Sequence, residues 1–548
     1  MQRSARLIAA ALLFCLAPSA RLLADDKPKS DDKTDSKSAD AKPVEKPATE
    51  VTTQGSVDVG GQHILYNAIA GTITVGATDP QDAQLGNDGK ALPGSQLAME
   101  APKEPKDEPP TARMSYFAYF KKDAKPEERP ITFFYNGGPG SSTVWLHMGS
   151  LGPKHVVTDT DQHLPAAPYK LTDNPESLLD VSDLVFIDMP GTGFGRLLGK
   201  EPEKAFWGID EDANAFARFI QRFITKYNRW NSPKFIFGES YGTTRSSVLV
   251  DILENNKSFD INGVILLSQI FNFTIDVDAP ASANPGVDLA YVLGLPTYAA
   301  TSWYHKKLPN QPPALEPFLK EVEDFAMGPY QHALALGTDV GADEKQSVAE
   351  KLHDYTGIPV AYWLKANLRV NGGQFEKTLQ EADNLTTGRL DTRFSGPNLN
   401  PLSEGAEYDP QSSAISSAYV SLFNDYVRKD MKYGEGQTYL PQALFNNSPW
   451  DFKHNGNPIL VNVANDLAEA MKTNPRLHVM VNGGYYDLAT PFFAAQYEEK
   501  HLPIPQSLTK NIEYDWYESG HMVYVRDSSL KQLHDRVAAF ITKTQSEK

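Results

Sequence analysis

The sequence predicts an α/β fold: a doubly wound, mostly parallel sheet with a largely helical insertion covering its crevice. Three observations carry this expectation. An apolar run, Lys234-Phe-Ile-Phe237, enters Gly238-Glu-Ser-Tyr-Gly242, and a helix-like segment, 245–253, leaves it, in the order strand, sharp turn, helix. Further buried-type strands at 131–135, 183–188 and 261–268 alternate with a helical pattern at 210–227, as a doubly wound sheet requires. From about residue 272 to 449 such strands give way to scattered aromatics, prolines and helical stretches at 315–326 and 414–429. Sheet texture then returns at Arg476.

Residues 1–24 carry Arg3 and Arg6, an apolar run from Leu7 to Leu16 and small residues before Asp25, the pattern of a secretory signal peptide cut after Ala24 or Ala20. The run is too short to span a bilayer. The signal implies export, to the periplasm or the medium, and because Cys15, the single cysteine, lies inside the apolar run, the mature chain is expected to lack disulfides. Residues 25–55 are mostly Asp, Lys, Ser, Ala, Pro and Thr with no periodic apolar positions, and a disordered linker is expected there. Alternating stretches at 56–77 and 113–120 predict antiparallel edge strands, separated by a Pro/Lys/Glu loop at 101–110. The expected layout is a core in 56–271, a helical cap in 272–449 and the rest of the core in 450–548.

The chain of 548 residues has a formal charge of −17 and no basic block beyond the leader, which argues against nucleic acid as a partner. Neither metal-ligand spacing nor a cofactor motif is present, so no cofactor and no metal are expected.

Ser240, at the apex of a strand–turn–helix with glycines on both sides, has the placement of the nucleophile elbow of α/β-hydrolases. The strand 131–135 runs into Asn136-Gly-Gly-Pro-Gly-Ser-Ser142, a loop whose backbone N–H groups are free to turn toward a ligand oxygen. The Gly-Lys-Ser/Thr ending of a phosphate loop is missing, and beside an elbow such a loop reads as an oxyanion hole. A serine hydroxyl is a weak nucleophile and needs a base, itself oriented by an acid. Asp487 and His521 each follow a predicted strand and complete the chain order Ser, Asp, His. Glu518 and Asp451 are the substitutes for the acid. His305, His332, His353 and His454 fall in or next to the insertion and His534 on the last helix, none comparably placed.

Asn136-Gly-Gly-Pro-Gly-Ser-Ser, Asp188-Met-Pro-Gly-Thr-Gly-Phe-Gly, Gly238-Glu-Ser-Tyr-Gly, Gly484-Tyr-Tyr-Asp487 and Gly520-His-Met522, in this order, together resemble the serine carboxypeptidase family. The resemblance implies an exopeptidase that releases C-terminal residues from peptides with a free C-terminus through an acyl-enzyme. It implies that Gly138 and Tyr241 supply the oxyanion-hole N–H pair and that Asn136 and Glu239 hold the terminal carboxylate. Residues 188–195 would border the specificity pocket and Met522 the leaving-group side. A carboxylate-facing Glu239 would have to be protonated, which implies an acidic working pH. The sequence departs from the family pattern at Ser141, where cysteine is common, and at Ser150, which occupies the place of a second Glu. An esterase or acyltransferase on the same scaffold, or a binding protein without catalysis, are the competing readings.

Overall fold

The computed structural model describes residues 50–546 except 101–103, 105–106, 278–284, 446–448 and 458–460. The expected leader and most of the expected linker therefore lie outside the described residues. The first strand begins at Glu50, inside the stretch expected as linker, and Glu50 pairs with Gly71.

A ten-stranded sheet organises the chain. Its principal strands are β1 (Glu50–Val59), β2 (Gln62–Gly76), β3 (Thr111–Lys121), β4 (Ile131–Tyr135), β5 (Asp183–Ile187), β6 (Lys234–Glu239), β7 (Gly263–Leu267), β8 (His478–Gly484) and β9 (Ile512–Tyr517). Their order across the sheet is β1-β2-β3-β5-β4-β6-β7-β8-β9, and Arg196–Leu198 pairs with β3. The first three strands are antiparallel, as their alternating sequences predict, and β3 also meets β5 antiparallel. All pairings from β5 to β9 are parallel. The strand order reverses at β4, so the loops after β4 and β6 leave neighbouring carboxyl ends, where open α/β sheets place their ligand crevice.

The helices that matter for the site are α1 (Val144–Gly149), α2 (Ile209–Lys226), α3 (Tyr241–Asp251), α4 (Leu289–Tyr304), α5 (Leu315–Phe325), α6 (Ala342–Thr356), α7 (Pro410–Lys429), α8 (Ala464–Thr473), α9 (Phe492–Lys500) and α10 (Asp527–Ser546). Strand pleating sends alternate residues to opposite faces. Phe133, Tyr135 and Ile236 join a core that includes Phe216, Phe219 and Phe223 of α2 and Leu249 of α3. Phe134, Phe235 and Phe237 join the opposite core, with Tyr419 and Phe423 of α7 and Leu533 and Phe540 of α10. The aromatic stripe of α2 is thus core. Phe134 stacks on both Phe186 and Phe237 at 4.8 and 4.9 Å, so three adjacent parallel strands are clamped by one line of rings.

A third core, with Val292, Leu319 and Leu352 of α4, α5 and α6, fills much of the stretch expected as a cap. It also takes in Tyr485, Tyr486 and Leu488, the neighbours of Asp487. The stretch is mostly helical but not wholly so, because Leu385–Thr387 and Ser395–Pro397 form an antiparallel pair.

Arg245, on α3, ties the two helices nearest the elbow to the loop after β4. Its Nε donates to Asp212 Oδ2 at 2.6 Å and Nη1 to the Asn136 carbonyl at 2.8 Å. Both side chains of the ion pair are wholly buried, and the guanidinium lies 4.3 Å from the Phe216 ring centre. Burial pushes the Asp212 carboxyl up to about 6, against the pull of Arg245. Removing one partner of a buried pair strands the other charge, so Arg245→Leu is expected to lower the unfolding free energy by about 3–5 kcal/mol at pH 7.5. Urea titration checks this, and a loss below about 1 kcal/mol would show that the pair does not hold these elements together.

Candidate active site

The elbow is set by backbone geometry. Ser240 has φ 61° and ψ −133°, a region that non-glycine residues occupy only when their surroundings force it. The forcing comes from both sides. Its N–H donates to the Leu267 carbonyl of β7 at 2.9 Å, and α3 begins at the next residue. Gly137 presses on the same turn: a Cβ there would lie 2.4 Å from the Tyr241 nitrogen and 2.8 Å from the Glu239 carbonyl oxygen. Only a residue without a side chain lets the loop after β4 sit against the elbow. Ser240 is half-buried and Gly138 exposed, while Asn136, Gly137, Glu239 and Tyr241 are buried around them.

Asp487 and His521 meet after β8 and β9. Asp487 Oδ2 accepts from His521 Nδ1 at 2.8 Å, with both side chains buried. A carboxylate can only accept, so Nδ1 carries the proton and Nε2 is left as the basic nitrogen. Thr490 fixes the acid through its backbone N–H to Oδ1 at 3.0 Å and its hydroxyl to Oδ2 at 2.7 Å. Burial disfavours the imidazolium, but the charge and hydrogen bond of Asp487 outweigh it and hold the His521 pKa above its ordinary value; Glu239 adds to the rise and Arg389 opposes it.

The strand end of β7 brings this pair to the elbow. Leu267 accepts the Ser240 N–H, and the next residue, Ser268, donates its hydroxyl to the His521 carbonyl at 2.7 Å. The two backbones are therefore anchored one residue apart.

Glu239, the residue before Ser240, is buried. Its Oε2 accepts from Asn136 Nδ2 and from the Tyr524 hydroxyl, each at 2.9 Å. Burial pushes its carboxyl up to about 7, although the charge of His521 and these two hydrogen bonds pull it down. Asn136 is itself fixed, since its Oδ1 accepts the Leu146 N–H at 3.0 Å. Ser150 is buried and directs its hydroxyl to the Leu146 carbonyl at 2.5 Å, within the last turn of α1.

The remaining expected residues are placed as follows. Tyr241 buries its ring against Trp450, with centroids 5.3 Å apart. Met522 Sδ accepts from Gln411 Nε2 of α7 at 3.3 Å. Asp188 accepts from the hydroxyls of Ser115 and Tyr439 and from the Thr143 N–H, so its carboxylate braces the loop that follows β5. The substitutes for the acid are engaged elsewhere, Glu518 with Arg526 and Asp451 with Lys453.

Sequence reasoning missed Thr490, Tyr524, Ser268 and Arg245. Thr490 and Tyr524 were within reach, because each stands three positions after a residue that was singled out. Ser268 and Arg245 carry no local signal. Among the described residues, Glu176, His534 and Asp535 form a group whose potential ligand atoms lie within 4.8 Å of one another, on α10 and a loop before β5.

Comparisons with known proteins place the chain among relatives of known family. Serine carboxypeptidase-like 44 of Arabidopsis thaliana is 27% identical over 180 residues, covering 31% of this chain and 35% of that protein. A carboxypeptidase Y homolog of Arthroderma benhamiae is 28% identical over 171 residues, 30% of this chain and 32% of its own. The matched stretches thus span about a third of each relative's length. Among solved structures, the prohormone-processing carboxypeptidase Kex1(delta)p from Saccharomyces cerevisiae superposes with a TM-score of 0.47 at 12% identity, over 87% of this chain and 91% of that one. The family described as serine carboxypeptidase matches continuously over residues 107–531, from β3 to α10, and so takes in the loop after β4, the elbow and both loops of the Asp–His pair. With a match of that extent, the chain belongs to the serine carboxypeptidase family.

Proposed function

We propose that this protein is an exported serine carboxypeptidase that removes C-terminal residues from peptides. Ser240 is the nucleophile, His521 the base and Asp487 the group that orients and stabilises the imidazolium. The observation that carries the proposal is the 2.8 Å contact of His521 Nδ1 with Asp487 Oδ2, tied through Ser268 and Leu267 to the Ser240 elbow.

As Ser240 Oγ attacks the scissile carbonyl carbon, its proton passes to His521 Nε2 and negative charge builds on the carbonyl oxygen. The N–H groups of Gly138 and Tyr241 receive that charge. Tyr241 is the first residue of α3, where N–H groups have no partner within the helix. Collapse breaks the C–N bond, His521 gives its proton to the leaving amine, and the acyl-enzyme remains on Ser240. Water, deprotonated by the same imidazole, then releases the shortened peptide.

Recognition of the free C-terminus falls to Asn136 and Glu239. With its carboxyl near 7, Glu239 keeps a proton in mildly acidic solution and can donate to a substrate carboxylate; once ionised it repels that carboxylate. Catalysis also needs His521 neutral. The two requirements oppose each other, and a narrow bell-shaped profile results. The secretory pattern of residues 1–24 supports export.

Ser240→Ala is expected to abolish labelling by a fluorophosphonate probe and to cut hydrolysis by at least ~10⁴-fold. Persistent labelling of that variant would overturn the assignment of the nucleophile. For peptides, KM is expected to rise as the pH passes about 7, and Glu239→Gln should remove that rise; small esters without a carboxylate should show only the acidic limb set by His521. Rates measured on peptides and on their C-terminal amides complete the test, and equal rates on both would favour an esterase or acyltransferase.

A further inference from the structure

We propose that the hairpin loop of residues 388–394 is a strap that holds the Asp487–His521 pair in register, with Asp391 and Arg393 as positioning residues. The inference rests on the reading of Asp487 and His521 as acid and base. In sequence the loop lies well inside the helical stretch, between Leu385–Thr387 and Ser395–Pro397. In space it runs across both loops of the pair.

Its contacts alternate between the two loops. The Arg389 carbonyl accepts the Leu488 N–H at 3.1 Å, and the Tyr486 carbonyl accepts from Thr392 N at 2.9 Å and Thr392 Oγ1 at 3.1 Å. Asp487 is thus bracketed on both sides. Toward the other loop, the Leu390 carbonyl accepts the His521 N–H at 2.6 Å, and Arg393 Nη2 donates to Ser519 Oγ at 3.2 Å. Between these points Asp391 lies against Gly520, where a Cβ would stand 2.4 Å from the Asp391 Cγ. The residue before His521 must therefore be glycine for the strap to reach.

The strap is stiffened from within. Arg393 grips Asp391 in two places, Nε to Oδ1 at 2.9 Å and Nη2 to Oδ2 at 2.6 Å, with side-chain exposures of 1% and 2%. A buried, forked pair fixes orientation as well as distance. It is also tied to the N-cap of α7, because the Leu390 N–H donates to Asp409 Oδ2 at 3.3 Å. The helical stretch is thereby linked to acid–base geometry. Misplacing a catalytic group by about 1 Å can cost on the order of 10²-fold in rate.

The test compares Arg393→Ala, Arg393→Lys and Thr392→Val with wild type and Ser240→Ala, using a small ester. Arg369→Ala serves as a control, since it breaks a half-buried pair with Asp288 within the helical stretch. Arg393→Ala is expected to lower kcat at least tenfold with KM within twofold, and Arg393→Lys to recover part of the loss. Arg369→Ala, matched for its change in thermal stability, should keep wild-type kcat. If Arg393→Ala does not fold, Thr392→Val decides, with at least a threefold loss of kcat expected. Wild-type kcat in a folded strap variant, beside an inactive Ser240→Ala, overturns the strap alone. Equal turnover by wild type and Ser240→Ala overturns the hydrolase reading and the strap with it.

Discussion

The backbone of Ser240 is the constraint on which the rest of the structure turns. A serine held at φ 61° stays there only if several elements insist on it. β7 accepts its N–H, Gly137 lies against the turn from the loop after β4, and α3 departs at once from the next residue. Arg245 then locks α3 to α2 and to the Asn136 carbonyl. Each of these contacts joins a different pair of elements, so the elbow acts as the joint at which the parallel strands, two helices and the glycine-rich loop are aligned.

The polar groups around this joint are buried, and their number gives the site its character. Glu239, Asp188 and Asp212 all have carboxyls raised by burial, to about 7, 6 and 6. Each nevertheless has hydrogen-bond donors from other elements. Groups of this kind add little net stability, but they make misalignment expensive, since any shift leaves a desolvated acid without its partner. The sole cysteine of the chain is at position 15, so no disulfide can brace the described residues. Alignment instead rests on packed aromatic rows such as Phe134 with Phe186 and Phe237, and on buried ion pairs such as Arg229 with Asp183 and Arg393 with Asp391.

Much of the fold was legible because its signals are local. The strands β4, β5 and β7 are each five residues long and wholly buried, and the stripe of α2 repeats at helical spacing. Edges were less legible. Glu50 to Gly55 look like linker by composition, yet they pair with β2, because strand pairing supplies backbone hydrogen bonds that composition does not advertise. The stretch 272–449 reads as a cover by texture, whereas part of its core is shared with the residues beside Asp487.

By itself the sequence determined where the proposed catalytic residues stand: a strand, a glycine-bounded turn and a helix put a serine on an elbow, and the order of strands put an aspartate and a histidine after the last two. These are properties of short segments and survive without knowledge of partners. Tertiary structure alone decided which groups orient them. Ser268 and the proposed strap at Asp391 and Arg393 act through contacts such as that between Arg393 and Ser519, 126 residues apart in the chain. Their burial and pairing come from the packing of distant elements, and a side chain carries no mark in its own neighbourhood of the partner that folding will bring to it.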